Sequence, residues 1–157
     1  MGEEKQLVVI IGRKEMFTIR LWHYKLLPFL PDKMLIAEWR ECIAIKRQWE
    51  KGTLKHRLVS YVMDYDKYTF YEYVLYLCSI LDERNIQYKK SYLEEIHKFC
   101  CAWEKNPCAI RHVYDEHNDR YLRQCYYNLQ EKYDRGIVSK EDWKNIHKNI
   151  YALIKEK

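Results

Sequence analysis

The chain has 157 residues, 48% apolar and 32% charged, which suits one domain of ordinary size with a buried core rather than two. Only 4 glycines and 3 prolines exclude collagen-like and linker-rich classes, and the scarcity of turn residues favours long helices. Lys plus Arg number 28 against 23 acids, a net +5 that suits an anionic partner, and 15 tyrosines supply apolar rings with polar tips.

Residues 1–15 stand apart as an N-terminal extension, ahead of a helical domain over 16–157. Leu7-Val8-Val9-Ile10-Ile11 reads as a short strand or a docking segment, and Met16 as a second start site. Pro28 and Pro31 bracket a loop, and Asp32 is the expected N-cap of a first helix. Along it Leu35, Trp39, Cys42, Ile43 and Trp49 fall at helical spacing, and Gly52 offers a stop. A second helix is expected over 54–65 on Leu54, Leu58, Val59 and Val62. A third is expected over 69–84 on Phe70, Val74, Leu77, Cys78 and Leu81, ended by Asn85. Ser91 with Glu94 matches a capping box that opens a helix through Trp103. Beyond Pro107 a helix is expected over 118–133, closed near Gly136. Ser139 with Asp142 opens the last, on Trp143, Ile146, Ile150 and Leu153. No alternation of strand type appears after residue 22, so the expected fold class is all-α, a single compact domain of about five to six helices.

The opening MGEEKQLVVIIGRKE places acids before a short apolar run and lacks a small-residue cleavage site, unlike a signal peptide. No stretch approaches the roughly 18 consecutive apolar residues of a membrane span. Six cysteines then read as free thiols in a reducing compartment, and the expected address is cytoplasmic, with no membrane partner. Cys42, Cys78 and Cys125 fall on apolar stripes as packing residues. Cys100, Cys101, Cys108, His112 and His117 have no finger or ribbon spacing and read as buried thiols and hydrogen-bonded histidines; neither metal nor cofactor is expected.

Chemistry concentrates in the run DKMLIAEWRE, residues 32–41. Glu41 lies near aromatic and apolar neighbours, where desolvation raises a carboxyl pKa toward acid–base work; the plainer reading makes Glu38, Arg40 and Glu41 a solvated face. Arg40, Lys46, Arg47, Lys51, Lys55 and Arg57 cluster over two expected helices, interleaved with Trp39 and Trp49. They either pair with successive phosphates, the tryptophans wedging, or are balanced by acids around core tryptophans. Arg20, His23 and Lys33 extend the candidate nucleic-acid contacts, although a structural hydrogen bond is the plainer role of His23. At 117–123, His117, Asn118, Arg120 and Arg123 form either an anion site at a helix start or an N-cap with solvent-facing charges.

The segment RLWHYKLLPFLPDKMLIAEWRECIAIKRQW, and within it LIAEWRE, resembles the start of the pyrimidine-dimer DNA glycosylase family of the small phage endonuclease V type. The wider segment and the downstream EHNDRYLRQCYYNLQEKYDRG resemble a bacterial and prophage branch of that family, and together they cover most of residues 19–143. The resemblance implies a helical domain that grips duplex DNA, kinks it and extrudes a nucleotide at a damaged site. It also implies attack on the deoxyribose C1′ by a free N-terminal amine, which forms a Schiff base. Glu41 falls on the glutamate that assists glycosidic cleavage and later elimination, and Arg40 on the adjacent arginine that holds DNA and positions the acid.

Three departures accompany it. The position of the reactive amine falls around Thr18 to Arg20, inside the chain, so start at Met16, processing or a substitute such as Lys25 would have to supply the amine for any lyase step. Met34 stands where that type has a DNA-contacting histidine, and Ala44 where it has another arginine. Two functions follow: a base-excising glycosylase with abasic-site lyase chemistry, or an inactive DNA- or nucleotide-binding module of phage or prophage origin on the same scaffold. A self-associating helical scaffold is the third.

Overall fold

The computed structural model describes residues 20–101 and 114–155. The expected extension over 1–15, the start at Met16 and the positions of Trp103, Cys108 and His112 lie outside the described residues. Among the described residues there is no strand, and the elements are helices throughout. An extended stretch from Arg20 to His23 leads into a 3-10 turn, Tyr24–Phe29, followed by α1, Asp32–Lys51. A second 3-10 turn, Ser60–Asp64, precedes α2, Lys67–Glu83; then come α3, Lys90–Cys101, α4, Asp119–Asp134, and α5, Lys140–Lys155.

The apolar periodicities set which faces are buried. α1 turns Leu35, Trp39, Cys42, Ile43 and Ile45 inward, and α2 contributes Phe70, Val74, Leu77, Cys78 and Leu81. α1, α2 and α3 pack on one another, while α4 and α5 pair as a second group; α5 also packs on the first 3-10 turn. The stretch from Arg20 through that turn is therefore the seam between the two groups. Arg84 at the end of α2 fixes one edge of it: Nη1 donates to the Leu30 carbonyl at 2.6 Å and to Asp32 at 2.8 Å, and Nη2 to the Pro28 carbonyl at 2.6 Å.

Several ends follow the expected stop and start signals. Gly52 takes φ 76° and its N–H reaches back to the carbonyls of Gln48 and Trp49; Asn85 takes φ 58° beyond α2. Asn118 Oδ1 accepts the Tyr121 N–H at 3.0 Å, capping α4. Ser139 Oγ accepts the Asp142 N–H at 3.0 Å and donates to that carboxylate.

Four expectations are corrected. The helix expected over 54–65 is a turn followed by the second 3-10 element: His56 Nδ1 takes the Leu58 N–H at 3.3 Å, diverting a donor that a helix would direct four residues back. Leu58 is consequently exposed, while Leu54, Val59 and Val62 are buried. Pro31, not Asp32, is the residue flanking α1, and Asp32 lies in the first turn, where its charge favours the helix dipole. Ser91 sits inside α3, which starts at Lys90: the Tyr92 N–H already reaches back to the Lys89 carbonyl at 3.1 Å, and Tyr88, tilted against Trp39 at 5.0 Å, anchors the chain just before it. In α5, Ile154 rather than Leu153 completes the buried stripe.

Candidate active site

The acid-bearing face of α1 meets the seam. Glu38 follows Leu35 and precedes Cys42 and Ile45 on one helical stripe, so the helix that buries those three also buries a carboxyl, only 1% exposed. Its Oε2 accepts the Trp22 N–H at 3.1 Å and lies 2.8 Å from the hydroxyl of Tyr73, on α2. The same hydroxyl is 2.7 Å from the Trp22 carbonyl. The Tyr73 hydroxyl, with a single proton, is the donor set between these two acceptors, the Glu38 carboxyl and the Trp22 carbonyl. Burial pushes the Glu38 carboxyl up to about 8, past the opposing pull of the Tyr73 hydrogen bond, so the acid is mostly protonated at neutral pH.

Glu41 lies one turn further along, close enough that its charge also raises Glu38. It is partly buried, and desolvation alone pushes it up to about 7. With Glu38 neutral, Glu41 is the carboxyl that exchanges a proton near physiological pH. Arg40, between them in sequence, is exposed on a different face.

The seam itself is held by buried aromatic and imidazole groups. His23 and His117 stack at 5.4 Å between ring centroids, Tyr61 Oη lies 2.8 Å from His117 Nε2, and Tyr121 donates to the Leu21 carbonyl at 2.7 Å. His23 Nδ1 accepts the Lys25 N–H at 3.1 Å, leaving the ring proton on Nε2. Desolvation lowers His23 to about 4 and His117 to about 3, the latter also through the neighbouring His23, so both rings are neutral at pH 7.

The expected basic cluster divides. Lys33, Lys51, Lys55 and Arg57 are exposed with Arg40, and Arg20 is half-buried with its guanidinium 5.3 Å from the Trp22 ring centroid. Two expected nucleic-acid contacts sit elsewhere. His23 is buried and neutral inside the seam, and Lys46 is buried with its ammonium 2.7 Å from Glu50 and 3.0 Å from Glu95. Both have the physical signature of fold-holding groups, since a buried paired cation cannot meet a phosphate without stranding its carboxylates. Arg47 is exposed but forks onto Glu95, Nε at 3.0 Å and Nη2 at 3.1 Å, tying α1 to α3. The tryptophans belong to the core side: Trp39 is buried, and Trp49 packs edge-on against Phe70 and Phe99.

Glu38 and Tyr73 are the buried polar pair beside Glu41 that spacing does not single out. The signal is nonetheless present, as a glutamate at the i+3 position of the stripe Leu35, Cys42, Ile45 and a tyrosine within the apolar run of α2. Cys100 is buried and His117 is bonded to Tyr61, while Cys42, Cys78 and Cys125 are buried thiols as expected.

Compared with known proteins, residues 19–94 match the family described as pyrimidine dimer DNA glycosylase. No curated protein and no solved structure matches the chain. The matched segment contains the seam, α1, α2 and the start of α3, hence Glu38, Arg40, Glu41 and Tyr73.

Proposed function

From the match of residues 19–94 to the pyrimidine dimer DNA glycosylase family, we propose that the chain belongs to that family, binds duplex DNA and excises a damaged, pyrimidine-dimer-like base. The single observation that carries this reading is Glu41, a carboxyl on the first helix of the matched segment, held near neutrality by desolvation beside a second, buried carboxyl.

The chemistry asks for a group that gives a proton and later takes one. A neutral amine attacks the deoxyribose C1′, the glycosidic bond breaks toward the base, and the ring oxygen is protonated as the sugar opens to an imine. Removal of a proton from C2′ then expels the 3′ phosphate. A carboxyl with a pKa near the working pH performs both transfers with little thermodynamic penalty in either direction. Glu41 fills that role; Glu38, neutral and clamped by Trp22 and Tyr73, keeps a second negative charge away from it and positions the seam. Arg40 holds the strand next to the acid, with Lys33, Lys51, Lys55 and Arg57 as exposed phosphate contacts. Arg47 joins them on exchanging Glu95 for a phosphate.

The amine is the residue-level question. An α-amino group titrates near 7.7–8.0 and is partly neutral at pH 7, whereas an ordinary lysine near 10.4 is almost wholly charged. The nitrogens of residues 19 and 20 are amides within this sequence, which favours the second reading, a DNA-binding module without turnover, unless processing frees an amine there or Lys25 serves. Action on DNA fits a cytoplasmic address.

Incubation with ultraviolet-irradiated and abasic duplexes, with borohydride present, separates the two readings. The repair reading expects strand cleavage and a trapped covalent adduct, both lost in Glu41→Gln; binding without adduct or cleavage supports the inactive module instead.

A further inference from the structure

An open groove of about 760 Å³ lies beyond the matched segment's helices, within the range of roughly 300–1,000 Å³ typical of small-molecule sites. Arg20 from the seam and Leu58 from the turn before the second 3-10 element form one side. α4 forms the other with Arg120, Arg123, Gln124, Tyr127 and Asn128, positions that share one helical face. No carboxylate lines the groove, and none of the three arginines forms an ion pair among the described residues.

Arg123 adds a second, independent sign. Its Nη1 is buried and has no hydrogen-bond partner. Buried donors are nearly always satisfied and a charged one left unpaired is costly, so a turn of this guanidinium that carries Nη1 to an acceptor in the groove its side chain lines is favoured. Guanidinium forks match the oxygens of a phosphate ester. Beside them Tyr127 is 53% exposed, a large ring left in solvent, with Gln124 one turn before it and Asn128 next to it in sequence, both offering amide donors and acceptors.

We propose that this groove is a nucleotide site: Arg20, Arg120 and Arg123, its guanidinium turned into the groove, take a phosphate ester. The Tyr127 ring stacks on the adjoining base, and the amides meet the base edge. The source of the ester is a DNA strand. The proposal rests on the DNA-binding reading and deepens it, adding a strand contact on α4, outside residues 19–94, joined to the acid-bearing face through Arg20, whose charge acts on Glu38. Stacking on an exposed ring tolerates any base, so the groove would add affinity more than sequence preference.

The test uses the full chain and two substitutions at exposed positions, Arg120→Gln and Tyr127→Ala, with Arg123→Gln checked for folding by circular dichroism. Binding of a duplex carrying an abasic-site analogue is followed by fluorescence anisotropy across salt concentrations, and deoxyadenosine 5′-monophosphate is titrated separately. Arg120→Gln is expected to weaken duplex binding about tenfold and to reduce the log–log salt slope by about 1. Tyr127→Ala is expected to weaken it about tenfold with the slope retained. Duplex binding that is unchanged in affinity and slope by all three substitutions overturns the groove and leaves the glycosylase reading standing. Binding of the monophosphate, lost in Arg120→Gln, by a chain that does not bind duplex supports the groove as a nucleotide site and sinks the DNA reading. A wild-type chain that binds neither overturns both.

Discussion

Glu38 and Glu41 sit three residues apart on α1, and their surroundings assign them different work. Glu38 is enclosed by Trp22, Tyr73 and the apolar stripe, and its pKa is raised to about 8; Glu41 is partly open and stands at about 7. A carboxyl whose pKa is higher folded than unfolded binds more protons in the folded state between the two values. Its contribution to stability is therefore complete below about 4.5 and declines as pH rises toward 8. Glu38→Gln mimics the protonated acid and keeps an oxygen for the Trp22 N–H. Thermal unfolding of E38Q is expected to be flatter than wild type between pH 5 and 8, with a higher Tm at pH 8. Glu38→Leu instead orphans the Trp22 N–H and loses the Tyr73 contact, at a cost of about 1–3 kcal/mol in denaturant titration. At Glu41 the readout is kinetic. On the repair reading, elimination on a preformed abasic duplex needs the carboxylate, so its rate is expected to rise with pH through about 7, and E41Q is expected to lack that limb while its Tm at pH 8 is no lower than wild type.

At the scale of the element, helix ends are where single residues have the clearest local causes. Gly52 holds φ 76° after α1 with no atom near the position of an added Cβ, so Gly52→Ala meets conformational strain and no clash. A loss of about 1 kcal/mol is expected. Asn118 caps α4, the helix that carries Tyr121 to the Leu21 carbonyl and Arg120 and Arg123 to the groove. Asn118→Ala is expected to cost about 1 kcal/mol by denaturant titration, and to raise amide exchange in the first turn of α4 above that in α2. The helix expected over 54–65 shows the limit of periodicity as a guide. Leu54, Leu58 and Val62 keep helical spacing, yet a side-chain acceptor at His56 redirects one backbone donor, and the segment becomes a turn with Leu58 outside. Such local competition depends on where a ring points, which spacing does not encode.

Across the whole molecule, the α1–α2–α3 group and the α4–α5 pair are joined through a seam whose two histidines are stacked and uncharged. Their pKa values are lower folded than unfolded, so the stability they permit is present above about 6.5 and is lost as pH falls toward 4 and then 3. This opposes the trend from Glu38 and Glu41, and comparing variants with wild type separates the two. His117→Gln retains an acceptor for Tyr61 and removes one titrating ring. The fall in Tm between pH 7 and 4 is expected to be smaller in H117Q than in wild type; equal falls would place the acid sensitivity elsewhere. Because the same seam supports Glu38 through Trp22 and Tyr73, acid that loosens α4 is expected to disturb the face of α1 that carries Glu38 and Glu41.

Much of this architecture is legible in the order of residues alone. Leu35, Trp39, Cys42 and Ile43 on one helix and Phe70, Val74, Leu77 and Leu81 on another announce all-α packing, because burial of a helical stripe needs only its own period. Asn118, Ser139 and Gly52 mark their helix ends for equally local reasons, and the LIAEWRE run leads to the family matched over 19–94. The partners of charged groups are a different matter. Lys46 and Arg47 meet Glu95 from 48–49 residues away, Glu38 meets Tyr73 from 35, and Arg20 shares a groove with Arg120 and Arg123. Whether a cation faces a carboxylate or solvent is set by which helices the fold brings side by side, so the linear chain supplied the charges and tertiary packing decided which of them are spent on the protein and which remain exposed to a partner.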